Sequence, residues 1–383
     1  MAEASSDISA DGDSLPAIAG AFVAAFDTHV GNLVEWCRPA ELNRPGLEFK
    51  AIPSGAHDLD EDFVYLRCGR LFGLAVCVKR DLSLLASPAA AAAERGARVR
   101  SVGVLGRRPG PLGRHAAFLR RQADRLLDGG SDYSELAAFV DERRADEPDG
   151  DDAIDANALL GLGLTFFSDQ RHALAFDAFF EGFGEQLMIL WKFMLLRKRV
   201  LFCSLPPIGD SCLFVLFACA LAAQTGAPAP APELFVSVAD IDRLRGLPHY
   251  AACSTESILL HKPDLWHLAI TDGWRMRASG PANQRLCSAV TAGDRRRFAS
   301  ASAEYRRRRS PADALRWFAD LNRGLGAALE LAAGPAEDHR FSAEAAREFG
   351  FDLGARADRE FLAELLRLRG LDASLAETSC CPL

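Results

Sequence analysis

A stripe of large apolar residues in the middle of the chain constrains the fold most. Its members recur at steps of four and three: Phe176, Phe180, Phe183, Leu187, Trp191 and Met194. This spacing is typical of one face of a helix, and although it is close to a coiled-coil seam, we favour a helix facing the core. The segment 183–204, FGEQLMILWKFMLLRKRVLFCS, then passes through a basic cluster into a short strand. Cations at a helix carboxyl end complement its macrodipole.

Strands and helices alternate after this stripe. VLFCS at 200–204, LFVSV at 234–238 and WHLAIT at 266–271 have the composition of strands. The apolar run 211–223 separates the first two, and its length is short of the ~20 residues that span a membrane. We therefore expect a core helix there and a mostly parallel sheet covered by helices.

The first part of the chain has the pattern of antiparallel hairpins. Residues 18–37 alternate across Gly31-Asn32, which predicts a turn at that dipeptide. Residues 63–79 repeat the pattern with a turn near Gly69, and residues 97–105 form a further strand. A helix follows and stops at Gly129-Gly130. These elements predict a compact α/β module.

The domain organisation follows from these patterns. Residues 141–157 are acidic and rich in turn formers, which indicates a domain boundary. Strand patterns stop at about residue 291, and the remaining segments are helical. The predicted units are a disordered acidic tail 1–17, a first lobe 18–130, a linker 131–172, a central α/β module 173–290, a helical part 291–375 and a cysteine-containing tail 376–383.

Composition and missing motifs exclude several classes of function. The net charge of −8 argues against a generally basic nucleic-acid binder, so no nucleic-acid partner is expected. The ten cysteines form no CxxC pair, and no hydrophobic signal segment opens the chain, which predicts a cytoplasmic protein with reduced thiols. The sequence has no GxxxxGK[ST], HExxH or GxSxG motif and no Cys/His metal spacing. No catalytic residue, metal or cofactor is therefore predicted.

Two arginine runs have two interpretations. Seven arginines fall within the sixteen residues 294–309, in the runs Arg295–Arg297 and Arg306–Arg309. These runs would suit an anionic lipid surface or an acidic partner. The favoured alternative is a solvated helix face, because the arginines do not form one stripe.

The carboxyl terminus also has two interpretations. Cys380 and Cys381 precede Pro382 and Leu383, and a cysteine fourth from the end with a final leucine has the form of a prenylation box. Palmitoylation of the same cysteines is a second route, and a basic patch would supply the second membrane signal. These residues are candidate lipidation sites for a peripheral contact with endomembranes, and the alternative is an unmodified tail.

Several stretches spread along the chain together resemble the DENN-domain family, in particular its LCHN-type branch. They include AFDTHVGNLVEWCRP at 25–39, DFVYLRCGRLFGLA at 62–75, the segment 183–209, FVSVADI at 235–241 and YAACSTESI at 250–258. The resemblance covers nearly the whole chain. It implies two lobes, an N-terminal longin-like module followed by a DENN α/β module, in agreement with the two modules above.

The resemblance also implies a function. Members of the family are typically guanine nucleotide exchange factors for Rab-type small GTPases in membrane trafficking. Exchange needs a shaped surface that prefers the nucleotide-free GTPase, and it requires no bond chemistry. We expect the partner to lie across a groove between the lobes, with Arg197, Lys198 and Arg199 meeting its acidic switch region. The alternatives are a DENN-fold scaffold without exchange activity and an enzyme using the crevice of the second module.

Overall fold

The structure is a computed structural model. It describes residues 18–55, 58–81, 97–143, 166–223, 232–288, 290–334 and 339–376. The strands of the main sheet are β1 (Ile18–Asp27), β2 (Gly31–Arg38), β3 (Glu61–Cys68), β4 (Leu71–Asp81), β5 (Ala97–Gly106), β6 (Arg199–Cys203), β7 (Pro232–Phe235), β8 (Tyr250–Ser254), β9 (Leu268–Thr271) and β10 (Arg275–Ala278). Two short strands, β11 (Arg340–Phe341) and β12 (Ser374–Leu375), pair separately.

The helices cover this sheet and form the last part of the chain. Within the described residues they are α1 (Leu47–Ala51), α2 (Ala116–Leu127), α3 (Ser134–Arg143), α4 (Gln170–Phe183), α5 (Leu187–Leu195), α6 (Gly209–Leu221), α7 (Ile241–Gly246), α8 (Pro281–Cys287), α9 (Ala292–Arg308), α10 (Pro311–Ala332), α11 (Ala343–Glu348) and α12 (Arg356–Arg369).

The sheet runs in the order β10-β9-β6-β8-β7-β3-β4-β5-β1-β2. Its first half, β1 to β5, is antiparallel, and four strands of its second half, β9, β6, β8 and β7, are parallel. The predicted α/β class and the parallel character of the second half are confirmed. The longin-like character of the first half stays a prediction.

The first hairpin turns earlier than its sequence suggested. Asp27 pairs with Gly31, so the turn lies at residues 28–30 and the predicted Gly31-Asn32 turn is wrong. The reason is the Asp27 carboxylate, which accepts hydrogen bonds from the backbone N–H groups of His29 at 2.7 Å and Val30 at 2.9 Å. An aspartate that binds the backbone two residues on makes its own turn.

The apolar stripe forms two helices where the sequence predicted one. Gly184 adopts a positive φ of 52° after α4, and a short 3-10 turn leads into α5. All six stripe residues are buried, so the predicted core-facing role is confirmed. Helix α6 is also buried, as predicted, and no helix in the described ranges is both long and apolar enough to cross a membrane.

A closed set of four charges holds the last helices against α5. Lys192 contacts Asp294 at 2.9 Å and Asp358 at 3.2 Å, and Arg297 also pairs with Asp294. All four side chains are buried, and the second oxygen of Asp358 accepts the Asp352 backbone N–H at 3.0 Å. We call Lys192, Asp294, Arg297 and Asp358 the Lys192 cluster. Buried charges persist when each has a partner of opposite sign.

The two halves of the sheet meet at β3 and β7. One parallel backbone pair, Leu66 with Phe235, joins them, and α6 packs on both strands. At the start of α6, the Asp62 carboxylate accepts the backbone N–H groups of Ile208 at 2.8 Å and Gly209 at 3.2 Å. The Asp62 side chain on β3 therefore holds the amino end of α6.

The stretch 131–172, expected to be a linker, contains structure at both described ends. Helix α3 packs on β1 through the buried residues Leu136, Phe139 and Val140. At the other end, His172 of α4 contacts the Tyr65 hydroxyl at 2.9 Å and stacks on Phe166. The described part of this stretch thus belongs to the packed body of the protein.

Candidate functional site

Four loops join into a continuous rim at the carboxyl edge of the parallel strands. Neighbouring loops are tied in sheet order by backbone and carboxylate hydrogen bonds. Leu205 N–H donates to Asp272 at 3.3 Å, Ser204 N–H to the Ser254 carbonyl at 3.2 Å, and Val238 N–H to Glu256 at 2.6 Å. We call the loops 204–208, 236–240, 255–258 and 272–274 the carboxyl rim. In open α/β sheets, ligands bind at this edge.

Three large apolar side chains are exposed on the carboxyl rim. Leu205 follows β6 and is 74% exposed, Ile258 follows β8 and is 50% exposed, and Val238 follows β7 and is 48% exposed. Single exposed apolar residues are ordinary on protein surfaces, but grouped ones mark interaction sites. Since β6, β8 and β7 are neighbours, the three residues lie along one edge and form an apolar row.

The acidic side chains Glu256 and Asp240 accept hydrogen bonds from the backbone of the rim. Burial raises the pKa of the Glu256 carboxyl, while its hydrogen bond from Val238 lowers it. Ser237 and Asp240 close a capping box in the loop after β7, with the Asp240 carboxylate accepting the Ser237 backbone N–H at 3.1 Å. These contacts hold the backbone of the rim and leave its apolar side chains facing outward.

A small cleft opens beside the rim between β6, β9 and α6. Its volume is about 170 Å³, and Cys203, Ser204, Ser211, Asp272 and Trp274 line it with neighbouring apolar residues. Burial raises the pKa of the Cys203 thiol to about 11, which keeps the thiol protonated at neutral pH. Ser204 and Ser211 bond to each other at 2.8 Å. The cleft lining thus contains hydroxyls and a protonated thiol without a histidine base.

The contact residues predicted from sequence lie at the opposite, amino edge of the strands. Lys198 pairs with Glu364 of α12, and Arg199 begins β6. The Arg199 backbone N–H donates to Nδ1 of His267 at 2.9 Å, beside β9. Arg197, Lys198 and Arg199 are half-buried, and their contact with a GTPase stays a prediction.

The other candidate residues have different positions. Arg297 is buried in the Lys192 cluster, so for this residue both the anion-facing patch and the favoured solvated helix face are wrong, whereas Arg295 and Arg296 and the run Arg306–Arg309 are exposed. Glu304 pairs with Arg307 and Arg308, as in a solvated helix face. Cys380 and Cys381 lie outside the described residues, so their lipidation stays a prediction. Across the described ranges, no group of three or more His, Cys, Asp or Glu side chains is arranged to hold a metal.

Sequence reasoning missed the apolar row. Leu205 stands in the run SLPPIG and Val238 in FVSVAD, where both resemble residues of the buried strands beside them. In the sequence, these exposed residues can be distinguished from core residues only if the ends of the strands are known. The available signal was that each lies a few residues after a buried strand.

Comparison with known proteins identifies the family. The family model described as DENN domain-containing protein 11 matches residues 21–276. The DENN domain-containing protein 11 of Xenopus laevis is 34% identical over 95% of this chain and 87% of the frog protein. The Rattus norvegicus protein of the same name is 33% identical over 95% of this chain and 83% of its own length, and the Danio rerio protein is 32% identical over 95% and 78%.

The fold is thus a mixed α/β fold with a packed junction between two half-sheets. The chain belongs to the DENN domain-containing protein 11 family. DENN domain proteins generally act on Rab GTPases as exchange factors, and the predicted family resemblance is confirmed.

Proposed function

We propose that this protein is a guanine nucleotide exchange factor for a Rab-type small GTPase. The observation that carries the proposal is the family match, which extends over 95% of the chain at 34% identity to the frog relative. An exchange factor acts by binding the nucleotide-free GTPase more tightly than the GDP-bound form, and this difference in affinity drives GDP release. The ordered element it must displace is the pair of switch loops around the nucleotide.

The apolar row of the carboxyl rim is the surface we propose for the GTPase. Leu205, Ile258 and Val238 project from loops whose backbones are held by Asp272 and Glu256. A rigid backbone lowers the entropic cost of binding, and exposed apolar anchors supply affinity. Acidic groups between them would allow the rim to select a partner with basic residues around its own apolar patch.

Release of fluorescent GDP from a panel of purified Rab-type GTPases tests this proposal. We expect acceleration on one or two members, and Leu205→Asp should slow it by about tenfold or more because it places a charge in the apolar row. Val30→Asp is the matched control, since Val30 is 75% exposed and lies in the turn between β1 and β2, at the end of the sheet far from the rim. If both variants exchange at the wild-type rate, the rim is not the GTPase surface.

We propose a second contact with the GTPase. Its acidic switch region would meet Arg197, Lys198 and Arg199. Reversing the charge at Arg197 and Lys198 together should then weaken exchange. A variant that folds and exchanges like the wild-type protein would remove this contact from the proposal.

One observation favours the scaffold alternative, in which the protein binds a GTPase without releasing its nucleotide. Phe166 and His172 fill the junction against Tyr65, so at that point the predicted groove between the halves is closed to a partner. Tight binding of a GTPase without faster GDP release would support this alternative. Absence of both binding and release across the panel would contradict both functions.

A further inference from the structure

We infer that the amino edge of the parallel strands holds a binding site for a phosphate-type oxyanion, formed by Arg197, Arg199, Arg369 and His249. We call these four residues the amino-edge cluster. This site is separate from the apolar row of the carboxyl rim. It shares Arg197 and Arg199 with the second GTPase contact proposed above, but its existence does not depend on exchange activity.

The strand register brings the cluster together. Arg199 pairs with Tyr250 at the start of β8, which places His249 beside the first residues of β6. Val200 pairs with Leu268 at the start of β9, so His267 also lies at this edge. Arg369, the last residue of α12, reaches the same place, where its charge acts on Arg197. The charge of Arg197 acts on both Arg369 and His249, so these three side chains are neighbours, and Arg199 lies at the same edge of the sheet.

The cluster contains buried hydrogen-bonding atoms without partners. The Nε atoms of Arg197, Arg199 and Arg369 and the Nδ1 atom of His249 are buried, and none has a partner among the described residues. The Arg369 side chain is only 8% exposed. Buried polar groups are nearly always paired, so several unpaired donors in one place make a region that can bind an ion or ligand.

The charges of the region are unbalanced. Glu364 pairs with Lys198 and Glu330 pairs with Arg369, which leaves the guanidinium groups of Arg197 and Arg199 without a carboxylate among the described residues. Burial, and then the nearby positive charges, lower the pKa of His249 and bring that of His267 to about 4. Both imidazoles are therefore neutral at pH 7. An anion would relieve the repulsion between the arginines.

The backbone of Arg197 supplies an independent argument. Its φ is 51°, in the left-handed region, directly after the last turn of α5. The Lys198 N–H donates to the Phe193 carbonyl at 3.0 Å, which makes the helix ending that normally selects glycine at the left-handed position. An arginine kept in a strained conformation beside unpaired cations points to a use for its side chain.

The chemistry of the donors favours a small oxyanion over an acidic protein loop. The unpaired Nε atoms are buried, whereas the residues that carry them are half-buried, so only a small group can reach these atoms. Guanidinium forks bind phosphate oxygens with two parallel hydrogen bonds. Such a group occurs both as a free phosphate and on the headgroup of a lipid.

Arg197→Gly tests the site without threatening the fold, because glycine suits the left-handed backbone and removes only the side chain. Arg309→Gly is its matched control: Arg309 also has a left-handed φ, of 50°, at the end of α9, but it is exposed and outside the cluster. Binding would be measured by titration calorimetry with inorganic phosphate and inositol trisphosphate, and by co-sedimentation with vesicles containing phosphatidylinositol phosphates.

We expect the wild-type and Arg309→Gly proteins to bind at least one probe and Arg197→Gly to bind it about tenfold more weakly or worse. Binding of the soluble probes identifies a free phosphate compound as ligand, and binding of vesicles alone identifies a lipid headgroup. The inference is overturned if the wild-type protein binds no probe, or if both variants behave alike. It is also overturned if Arg197→Gly slows GDP release but keeps full phosphate affinity, since the cluster would then be a protein contact.

Discussion

The Lys192 cluster and the amino-edge cluster both gather charged groups at the ends of α5 and α12, but only one is balanced. Two cations and two carboxylates meet around Lys192, and all four side chains are buried. In the amino-edge cluster, by contrast, Arg369 pairs with Glu330, and the guanidinium groups of Arg197 and Arg199 have no carboxylate partner among the described residues. The difference teaches that balanced buried charges fix helices in place, whereas unbalanced ones indicate a site for something outside the chain.

The largest effect should follow from breaking the balanced cluster. Lys192→Met leaves Asp294 and Asp358 buried without their shared cation, so the free energy of unfolding should fall by about 3–5 kcal/mol. Urea denaturation monitored by tryptophan fluorescence would measure the change. Lys262→Met is the control, because the Lys262 side chain, in a loop, forms no hydrogen bond or ion pair with the described residues. A loss below about 1 kcal/mol for Lys192→Met would show that the cluster is not a stabilising unit.

Asp62 lies between the balanced and the unbalanced cluster in character, because it is a buried carboxylate held by backbone N–H groups and not by a cation. Burial raises its pKa to about 6, although the hydrogen bonds from Ile208, Phe63 and Gly209 lower it. Because the folded-state value exceeds the unfolded value of 3.8, the folded protein binds more protons between pH 4 and 6. The contribution of Asp62 to stability is therefore complete below about pH 4 and is lost as the pH rises to 6, by about 2–3 kcal/mol.

Comparing wild-type protein with Asp62→Asn would isolate this contribution. The difference between their free energies of unfolding should shift in favour of Asp62→Asn as the pH is raised from 4 to 7. Asp242→Asn changes an exposed carboxylate and should follow the wild-type curve. Parallel curves for wild type and Asp62→Asn would mean that Asp62 has an ordinary pKa in the folded protein.

The smallest effect should come from the unbalanced cluster and have the opposite sign. Arg197→Gly removes the backbone strain of an arginine in the left-handed conformation, which should stabilise the folded protein by about 1–2 kcal/mol. The glycine also raises the chain entropy of the unfolded state, which opposes this gain by about 0.5–1 kcal/mol. It also removes the charge repulsion between Arg197 and Arg369. Thermal unfolding should show Arg197→Gly to be more stable than wild type by about 0.5–1 kcal/mol. Arg309→Gly should gain less, because only its backbone changes, and equal gains would argue against repulsion within the cluster.

The sequence predicts parts of the fold whose signal is local. Both hairpins alternate at a period of two, and the aromatic stripe fixes the faces of α4 and α5 even though Gly184 divides them. Strand β8 was not predicted as a strand, because YAACS is rich in alanine and lacks β-branched residues. The turn at residues 28–30 depended on a single aspartate side chain.

The sites depend on long-range contacts that sequence patterns do not contain. Lys192 stands out in the apolar helix LMILWKFML, but its partners Asp294 and Asp358 lie 102 and 166 residues further along. The basic run Arg197–Arg199 was visible in the sequence, whereas Arg369 and His249 join it only through the register of β8 and the end of α12. Exposure of Leu205, Ile258 and Val238 follows from where each strand ends.

The single backbone pair between Leu66 and Phe235 has a consequence during synthesis on the ribosome. Strands β1 to β5 can pair as soon as they emerge, but the outer edge of β3 then waits for β7, roughly 170 residues later. At 5–20 residues per second this takes about 10–30 s. During that time the edge of β3 around Leu66 is apolar and unpaired, which makes it a site of aggregation. A nascent chain of this protein should therefore need a chaperone until β7 has been made.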